Sequence, residues 1–276
     1  MIPKFLFLVL LLCSSARGNL YAQAIKVKGS DTMLPMMQLV VEAYLKKATN
    51  VDINLTGGGS GTGITALLDG TVDLAMSSRE AKLAEKMKFK EKGAEIKFVP
   101  IATDALSVIV HPSNPVAKLN KDQLEDIFTG KINNWKEIGG TDSKIIVYTR
   151  ESSSGTYEFM KENILDKREF AKDAISTSAT AQIVFAVSQN KGAIGYVGLA
   201  YVENIVKPVA ISFDGKEYIP PTFNNAAKGI YPVTRPLFVF YNAANESKVK
   251  GFLDFLLSVN GQKLITHKGF IPVNWQ

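Results

Sequence analysis

The chain has 276 residues, 46% of them hydrophobic, a formal net charge of +6 and a single cysteine. This length builds a large core in one domain or two, while one thiol rules out a disulfide frame. The lysines are scattered and no basic stripe alternates with aromatics, which argues against nucleic-acid binding; a modest positive field instead steers anions.

Taken in chain order, the first two dozen residues read as an export signal. Lys4 supplies a positive start, an apolar run extends from Phe5 to Cys13, and Ala22-Gln23-Ala24 fits a small-x-small cleavage site. The run is too short to span a membrane. Cleavage near Ala24 removes Lys4, Arg17 and the only cysteine, leaving about +4 on a periplasmic or secreted protein. The rival is lipidation at Cys13, against which stands Leu12, because a lipoprotein signal needs a small residue there.

Short β-rich runs then alternate with helical patterns, the signature of an α/β protein with largely parallel sheets. A strand is expected over 25–28 and a helix over 32–47, where Met33, Met37, Val40, Val41 and Tyr44 recur at helical spacing. A strand over 51–55, a short helix carrying Ile64, Leu67 and Leu68, and a strand over 72–76 follow. The mixed Lys/Glu segment 82–97 reads as a solvated helix face. Strands are expected over 96–102 and 106–110, with Asp104 between them. Further on come a helix over 123–128, a strand over 144–149, a helix bearing Tyr157, Met160 and Ile164, and a helix over 179–189. Residues 212–228, with Pro220-Pro221 and Asn224-Asn225, read as loop. A strand over 237–241 and an amphipathic helix over 249–264 close the chain. No repeat, low-complexity segment or transmembrane span appears, and two domains with a site in the cleft between them are favoured.

Three strand-to-helix junctions share one grammar of small hydroxyl residues and glycines. They are Gly29-Ser30-Asp31-Thr32-Met33, the run Gly57-Gly58-Gly59-Ser60-Gly61-Thr62-Gly63, and Arg150-Glu151-Ser152-Ser153-Ser154-Gly155-Thr156. Helix N-termini present unpaired N–H groups and the positive end of the dipole, Ser and Thr add O–H donors, and Gly permits close approach. Any one of these turns is ordinarily just an N-cap. Three meeting at a point would hold a small tetrahedral oxyanion.

Enzyme readings fare poorly. The glycine run lacks the Lys of a nucleotide-binding P-loop, and Gly61-x-Gly63-x-x-Ala66 matches a dinucleotide fingerprint only loosely in a chain that export keeps from nicotinamide. No serine sits in a Gly-x-Ser-x-Gly elbow. The two histidines, His111 and His267, read as surface residues, and no cluster has metal-ligand spacing. Neither a metal nor a cofactor is expected.

Arg79 and Arg150 each follow an apolar strand at such a junction, where a guanidinium can bind an oxyanion through two parallel donors. Either could instead serve a structural ion pair, Arg79 with Glu80 or Arg150 with Glu151. Carboxylates separate the ligands: near neutral pH phosphate keeps a proton that needs an acceptor, whereas sulfate has none. Asp31 is the best-placed acceptor, ahead of Asp104 and Glu151, though it could be only an N-cap.

Further segments complete an ordered set with these turns. They are Ala75-Met76-Ser77-Ser78-Arg79, Ile127-Phe128-Thr129-Gly130-Lys131-Ile132-Asn133-Asn134-Trp135, Gly192-Ala193-Ile194-Gly195-Tyr196, Tyr231-Pro232-Val233-Thr234-Arg235-Pro236 and Lys268-Gly269-Phe270-Ile271-Pro272-Val273. With them, nearly all of the mature chain resembles the phosphate-binding protein of the bacterial phosphate ABC transporter, in its shorter form. The resemblance implies a two-lobed, type II periplasmic-binding-protein fold, each lobe a mixed, mainly parallel sheet flanked by helices, with two crossover segments. Mapped here, lobe 1 holds residues 25–103 and 233–276, lobe 2 holds 104–232, and the crossings lie near residues 102–104 and 232–234. It implies a monomer that captures inorganic phosphate and delivers it to a membrane permease, without covalent chemistry. A receptor for sulfate or molybdate, and a secreted phosphatase-like enzyme, remain as alternatives. The phosphate contacts implied are Thr32, Met33, Ser60, Arg150, Ser154, Gly155 and Thr156. Longer members place an aspartate where this chain has Ser78, followed by Arg79, so the proton acceptor must lie elsewhere, with Asp31 the choice.

Overall fold

The computed structural model describes residues 23–48 and 50–273. All but the last two residues of the export signal expected at 1–24, Cys13 included, therefore lie outside the described residues. Those last two, Gln23 and Ala24, already pair with Val51 and Asp52, so a cut after Ala24 would shorten the first strand.

From the N-terminus, β1 (Gln23–Gly29) leads into a 3₁₀ turn over Asp31–Met33 and then α1 (Leu34–Leu45). β2 (Val51–Thr56), α2 (Ser60–Leu68), β3 (Leu74–Ser77) and α3 (Leu83–Glu91) follow. The chain then runs along β4 (Ile96–Val110), fifteen residues long, to β5 (Lys118–Asn120) and α4 (Lys121–Phe128). Next come β6 (Ile146–Arg150), α5 (Gly155–Asn163), β7 (Ile175–Thr177), α6 (Thr180–Gln189) and β8 (Ala193–Gly198). Two short strands, β9 (Lys207–Pro208) and β10 (Ala210–Ser212), precede α7 (Phe223–Ala227). The return is β11 (Thr234–Asn242), α8 (Glu246–Leu257), α9 (Val259–His267) and β12 (Ile271–Pro272).

One continuous ladder runs in the order β2-β1-β3-β11-β4-β8-β6-β7. Its outer pairs, β1 with β2 and β3, and β6 with β7 and β8, are parallel, while β11 and β4 pair antiparallel with their neighbours at the centre. The N-terminal part of β4 lies beside β11, from Ile96 opposite Asn242 to Ala105 opposite Thr234; its C-terminal part lies beside β8, from Leu106 to Val110. Two sheets thus share one strand, and this divides the molecule into two lobes.

The strands expected at 96–102 and 106–110 are therefore one element. Asp104 does not turn the chain, because Arg235 stands directly opposite in register and pairs with its carboxylate. Two other expectations change. The helix expected over 249–264 breaks at Ser258, whose extended backbone (φ −67°, ψ 161°) and hydroxyl, accepting from Gly261 N at 3.2 Å, start α9 afresh. The stretch read as loop contains α7, capped by Thr222, whose Oγ1 accepts from Asn225 N at 3.1 Å.

Each sheet is buried on both faces. In lobe 1, Ile25 and Val27 of β1 pack with Met36, Met37 and Val40 of α1 and Phe252 and Leu256 of α8. The opposite face carries Ile64 and Leu67 of α2 and Phe89 of α3. In lobe 2, Leu124, Ile127 and Phe128 of α4 and Met160 of α5 cover one face, and Ile183, Val184 and Val187 of α6 the other. Each such side chain contributes about 1.5–3 kcal/mol on burial. The packing fixes where the strand ends fall, and therefore where the loops that follow them meet. Among the described residues no helix is long and apolar enough to cross a membrane.

Candidate functional site

The hydroxyl-rich turns after β1, β2, β3 and β6 converge where the lobes face one another. Gly29 ends β1 at φ +146°, and a side chain there would stand 2.1 Å from the carbonyl oxygen of Met76, so only glycine lets β1 and β3 close up at this point. Ser30 N donates to that same carbonyl at 2.9 Å, which aims the following turn into the cleft.

The Asp31 carboxylate, on a residue only 8% exposed, is held from both lobes. Its Oδ1 accepts from Gly58 N at 3.1 Å within lobe 1, and its Oδ2 accepts from Arg150 Nη2 of lobe 2 at 2.7 Å. Tyr201 of lobe 2 also donates its hydroxyl to the Asp31 carbonyl at 2.5 Å. Arg150 is 2% exposed and held by lobe 2 acceptors: Nη1 donates to Thr180 Oγ1 at 2.6 Å, Nη2 to Ser178 O at 2.7 Å and Nε to Thr177 O at 3.3 Å. These contacts engage the Nε hydrogen, both Nη2 hydrogens and one on Nη1, which fixes the guanidinium and leaves a single Nη1 N–H to donate to an oxyanion.

The hydroxyls surround this pair. Thr32 Oγ1 and Thr156 Oγ1 lie 3.0 Å apart, one from each lobe. Ser60, the first residue of α2, accepts from Ser78 N at 3.0 Å, and its Oγ lies 3.3 Å from that of Ser78. Gly155, the first residue of α5, faces both serines: a Cβ there would stand 2.4 Å from Ser60 Oγ and 2.6 Å from Ser78 Oγ. Two helix N-termini, each with N–H groups that have no intrahelical partner, thus point at one place.

Asp31, Thr32, Ser60, Ser78, Arg150, Gly155 and Thr156 come together as the sequence suggested, and three other expected residues stand differently. Met33 buries its side chain in the lobe 1 core, and its N–H goes to Ser30 O at 3.1 Å. Ser154 caps α5, accepting from Thr156 N and Tyr157 N. Arg79 is not brought to the cluster; it forms a fork with Glu85 of α3, Nη1 to Oε2 at 2.8 Å and Nη2 to Oε1 at 2.7 Å. Glu85 is held below the usual carboxylate range: burial pushes it up, and the Arg79 hydrogen bonds and the Lys82 N–H outweigh that. Glu80, the partner that adjacency suggested for Arg79, offers it only a backbone carbonyl.

Sequence reasoning missed Arg235, Thr180 and Tyr201. Arg235, within a segment quoted only for its resemblance, sits behind the hydroxyl pair. Its Nη2 reaches Thr156 Oγ1 at 3.1 Å and Thr32 Oγ1 at 3.4 Å, and it pairs with Asp104 at 2.9 Å. Burial raises the Asp104 pKa against the pull of Arg235, and burial likewise lowers that of Arg235. Asp104 is thus committed to Arg235, and its side chain is 1% exposed. Glu151 is exposed, at the cleft's edge. Among the carboxylates considered, Asp31 is the one that meets the hydroxyls and Arg150.

Two α/β lobes joined through shared strands, with hydroxyls, helix N-termini and an arginine–aspartate pair meeting between them, define a class, and residues 14–260 match the family model of the PBP superfamily domain. The phosphate-binding protein PstS of Pseudomonas aeruginosa is 33% identical over 94% of this chain and 84% of its own. A Clostridium perfringens protein described as a phosphate ABC transporter substrate-binding protein, crystallised with bound phosphate, superposes with a TM-score of 0.84 at 34% identity. That match covers 91% of this chain and all of the other. An ABC-type phosphate transport receptor from Vibrio cholerae gives 0.72 at 30% identity, over 90% of this chain and 99% of its own. The chain belongs to the PstS family of phosphate-binding proteins, and its fold is that of the type II periplasmic binding proteins.

Proposed function

We propose that this chain captures inorganic phosphate outside the inner membrane and delivers it to the permease of a phosphate ABC transporter. The observation that carries this reading is the Asp31–Arg150 pair across the cleft, ringed by Thr32, Ser60, Ser78 and Thr156. Arg150 with the hydroxyls and helix N-termini supplies donors for the phosphate oxygens. The Asp31 carboxylate supplies the acceptor for the phosphate proton and repels sulfate, which brings none. This assigns to Asp31 the task that longer relatives give to the aspartate at the position of Ser78. The relatives named above, described as phosphate-binding or phosphate-transport proteins, support the same ligand.

The division we propose places residues 25–103 and 233–276 in lobe 1 and 104–232 in lobe 2, with β4 and the start of β11 as the connections. Ligand then acts by favouring the closed form, where both lobes contribute donors. Binding and release need no bond to be made or broken. Titration calorimetry of the ligand-stripped protein tests the reading: tight one-to-one phosphate binding with inert sulfate is expected. Sulfate binding equal to phosphate would reassign it to a general oxyanion receptor, and binding of neither would sink it.

A further inference from the structure

The Arg235 guanidinium has more donors than the protein answers. The residue is 2% exposed. Nε and Nη2 both donate to Asp104 Oδ2, at 3.2 and 2.9 Å, and Nη2 also reaches the hydroxyls of Thr156 and Thr32. Nη1 is buried with no hydrogen-bond partner among the described residues. A buried charged donor left unpaired is costly, and a guanidinium has no acceptor of its own with which to adapt. The complementary chemistry is an oxygen anion, and the two hydroxyls beside Nη2 already belong to the anion site.

Those hydroxyls come from opposite lobes, Thr32 at the turn after β1 and Thr156 in the first turn of α5. The two hydroxyls also lie 3.0 Å apart, so one donates to the other and the proton of the second, turned away from the guanidinium, is available to an anion in the cleft. The charged and titratable groups facing Arg235 are Asp104 on β4, Arg150 at the end of β6 and Tyr196 on β8. The Phe159 ring of α5 lies 5.4 Å from its Cζ.

We propose that Arg235 is a second guanidinium of the anion site, with Nη1 donating to bound phosphate while Nη2 orients the hydrogen-bonded Thr32–Thr156 hydroxyl pair toward it. The proposal rests on the phosphate reading above. A second cationic donor favours the phosphate dianion over the monoanion, so its removal weakens binding more at high pH than at low pH.

Replacing Arg235 alone would leave Asp104 buried and unpaired beside the anion, so the decisive variant is Asp104→Asn with Arg235→Gln, which removes both charges together. Its phosphate affinity, measured by calorimetry at pH 8 and pH 5.5, is expected to fall at least tenfold at pH 8 and by a smaller factor at pH 5.5. A smaller loss at pH 8, or equal loss at both, overturns the proposal, since a purely structural lesion weakens both ionic forms alike. If circular dichroism shows that this variant does not fold, Arg235→Lys decides. It keeps the charge and a partner for Asp104 but cannot serve Nη1 and Nη2 together, and a loss of affinity under tenfold overturns the proposal. Failure of the wild-type protein to bind phosphate would overturn both readings, whereas wild-type binding with unaltered variants would overturn this one alone.

Discussion

Asp31 accepts from lobe 1 through one carboxylate oxygen and from lobe 2 through the other. Asp31→Asn keeps an acceptor for Gly58 N but removes the charge proposed to take the phosphate proton. The hydrogen bond lost is charge-assisted, so phosphate binding should weaken by about 1.5–3 kcal/mol, while sulfate binding should strengthen or appear. Competition calorimetry with the two anions reads the ratio directly, and unchanged discrimination would remove Asp31 as the acceptor. Most of this site was legible residue by residue, because strand-to-helix junctions rich in Ser, Thr and Gly carry a local signature. Arg79 shared that signature and misled: Glu85, at the start of α3, captures its guanidinium. Arg235 had none, since it is the second residue of β11 rather than part of a strand-to-helix turn, and its partner Asp104 is 131 positions away in sequence.

Among elements, the N-terminal turn of α5 and the segment before it pack closely against the N-terminus of α2. Gly61 N donates to Ser153 O at 2.9 Å, and Gly155 fits between Ser60 and Ser78 with no room for a methyl group. Alanine suits a first helical turn and strains no backbone at Gly155, so Gly155→Ala should leave the melting temperature within a few degrees of wild type. Its Cβ would instead hold the lobes apart, and phosphate affinity should drop by about tenfold or more, the ~1.4 kcal/mol scale of one lost hydrogen bond. Unchanged affinity in a folded variant would show that closure does not bring these elements as close as they stand here. The longer helices and strands were legible from periodicity, while α7 was hidden in a Pro- and Asn-rich stretch too short to show a repeat. What escaped were the joins: β4 looked like two strands because an aspartate interrupts its apolar run, and only Arg235, from the far end of the chain, explains why the run continues.

For the whole molecule, ties between the lobes include Asp31 with Arg150, Thr32 with Thr156, Tyr201 with the Asp31 carbonyl, Gly61 N with Ser153 O, and Lys82 with Glu158 at 2.8 Å. Exposed pairs such as the last contribute little, roughly 0–1 kcal/mol, so the buried contacts around the anion must decide the open–closed balance. Small-angle X-ray scattering of ligand-stripped protein should show the radius of gyration falling when phosphate is added. An unchanged radius would argue against a closing clamp. The two-lobed plan was legible through resemblance rather than through local pattern, because which strands share a sheet is settled by pairings between distant segments.

The position of β11 also bears on how the chain assembles. It lies between β3 and β4 in the ladder, yet it begins at Thr234, far along the chain from the end of β4 at Val110. Until residues 234–242 exist, β3 and β4 are edges with no neighbour between them, and lobe 1 has no finished core. Lobe 2 suffers no such delay, since β4 to β8 are contiguous in the chain. Lobe 1 must therefore bring together two segments far apart in the chain before its core can close, whereas lobe 2 can form from one continuous stretch, and pairings of such long sequence separation are slow to form.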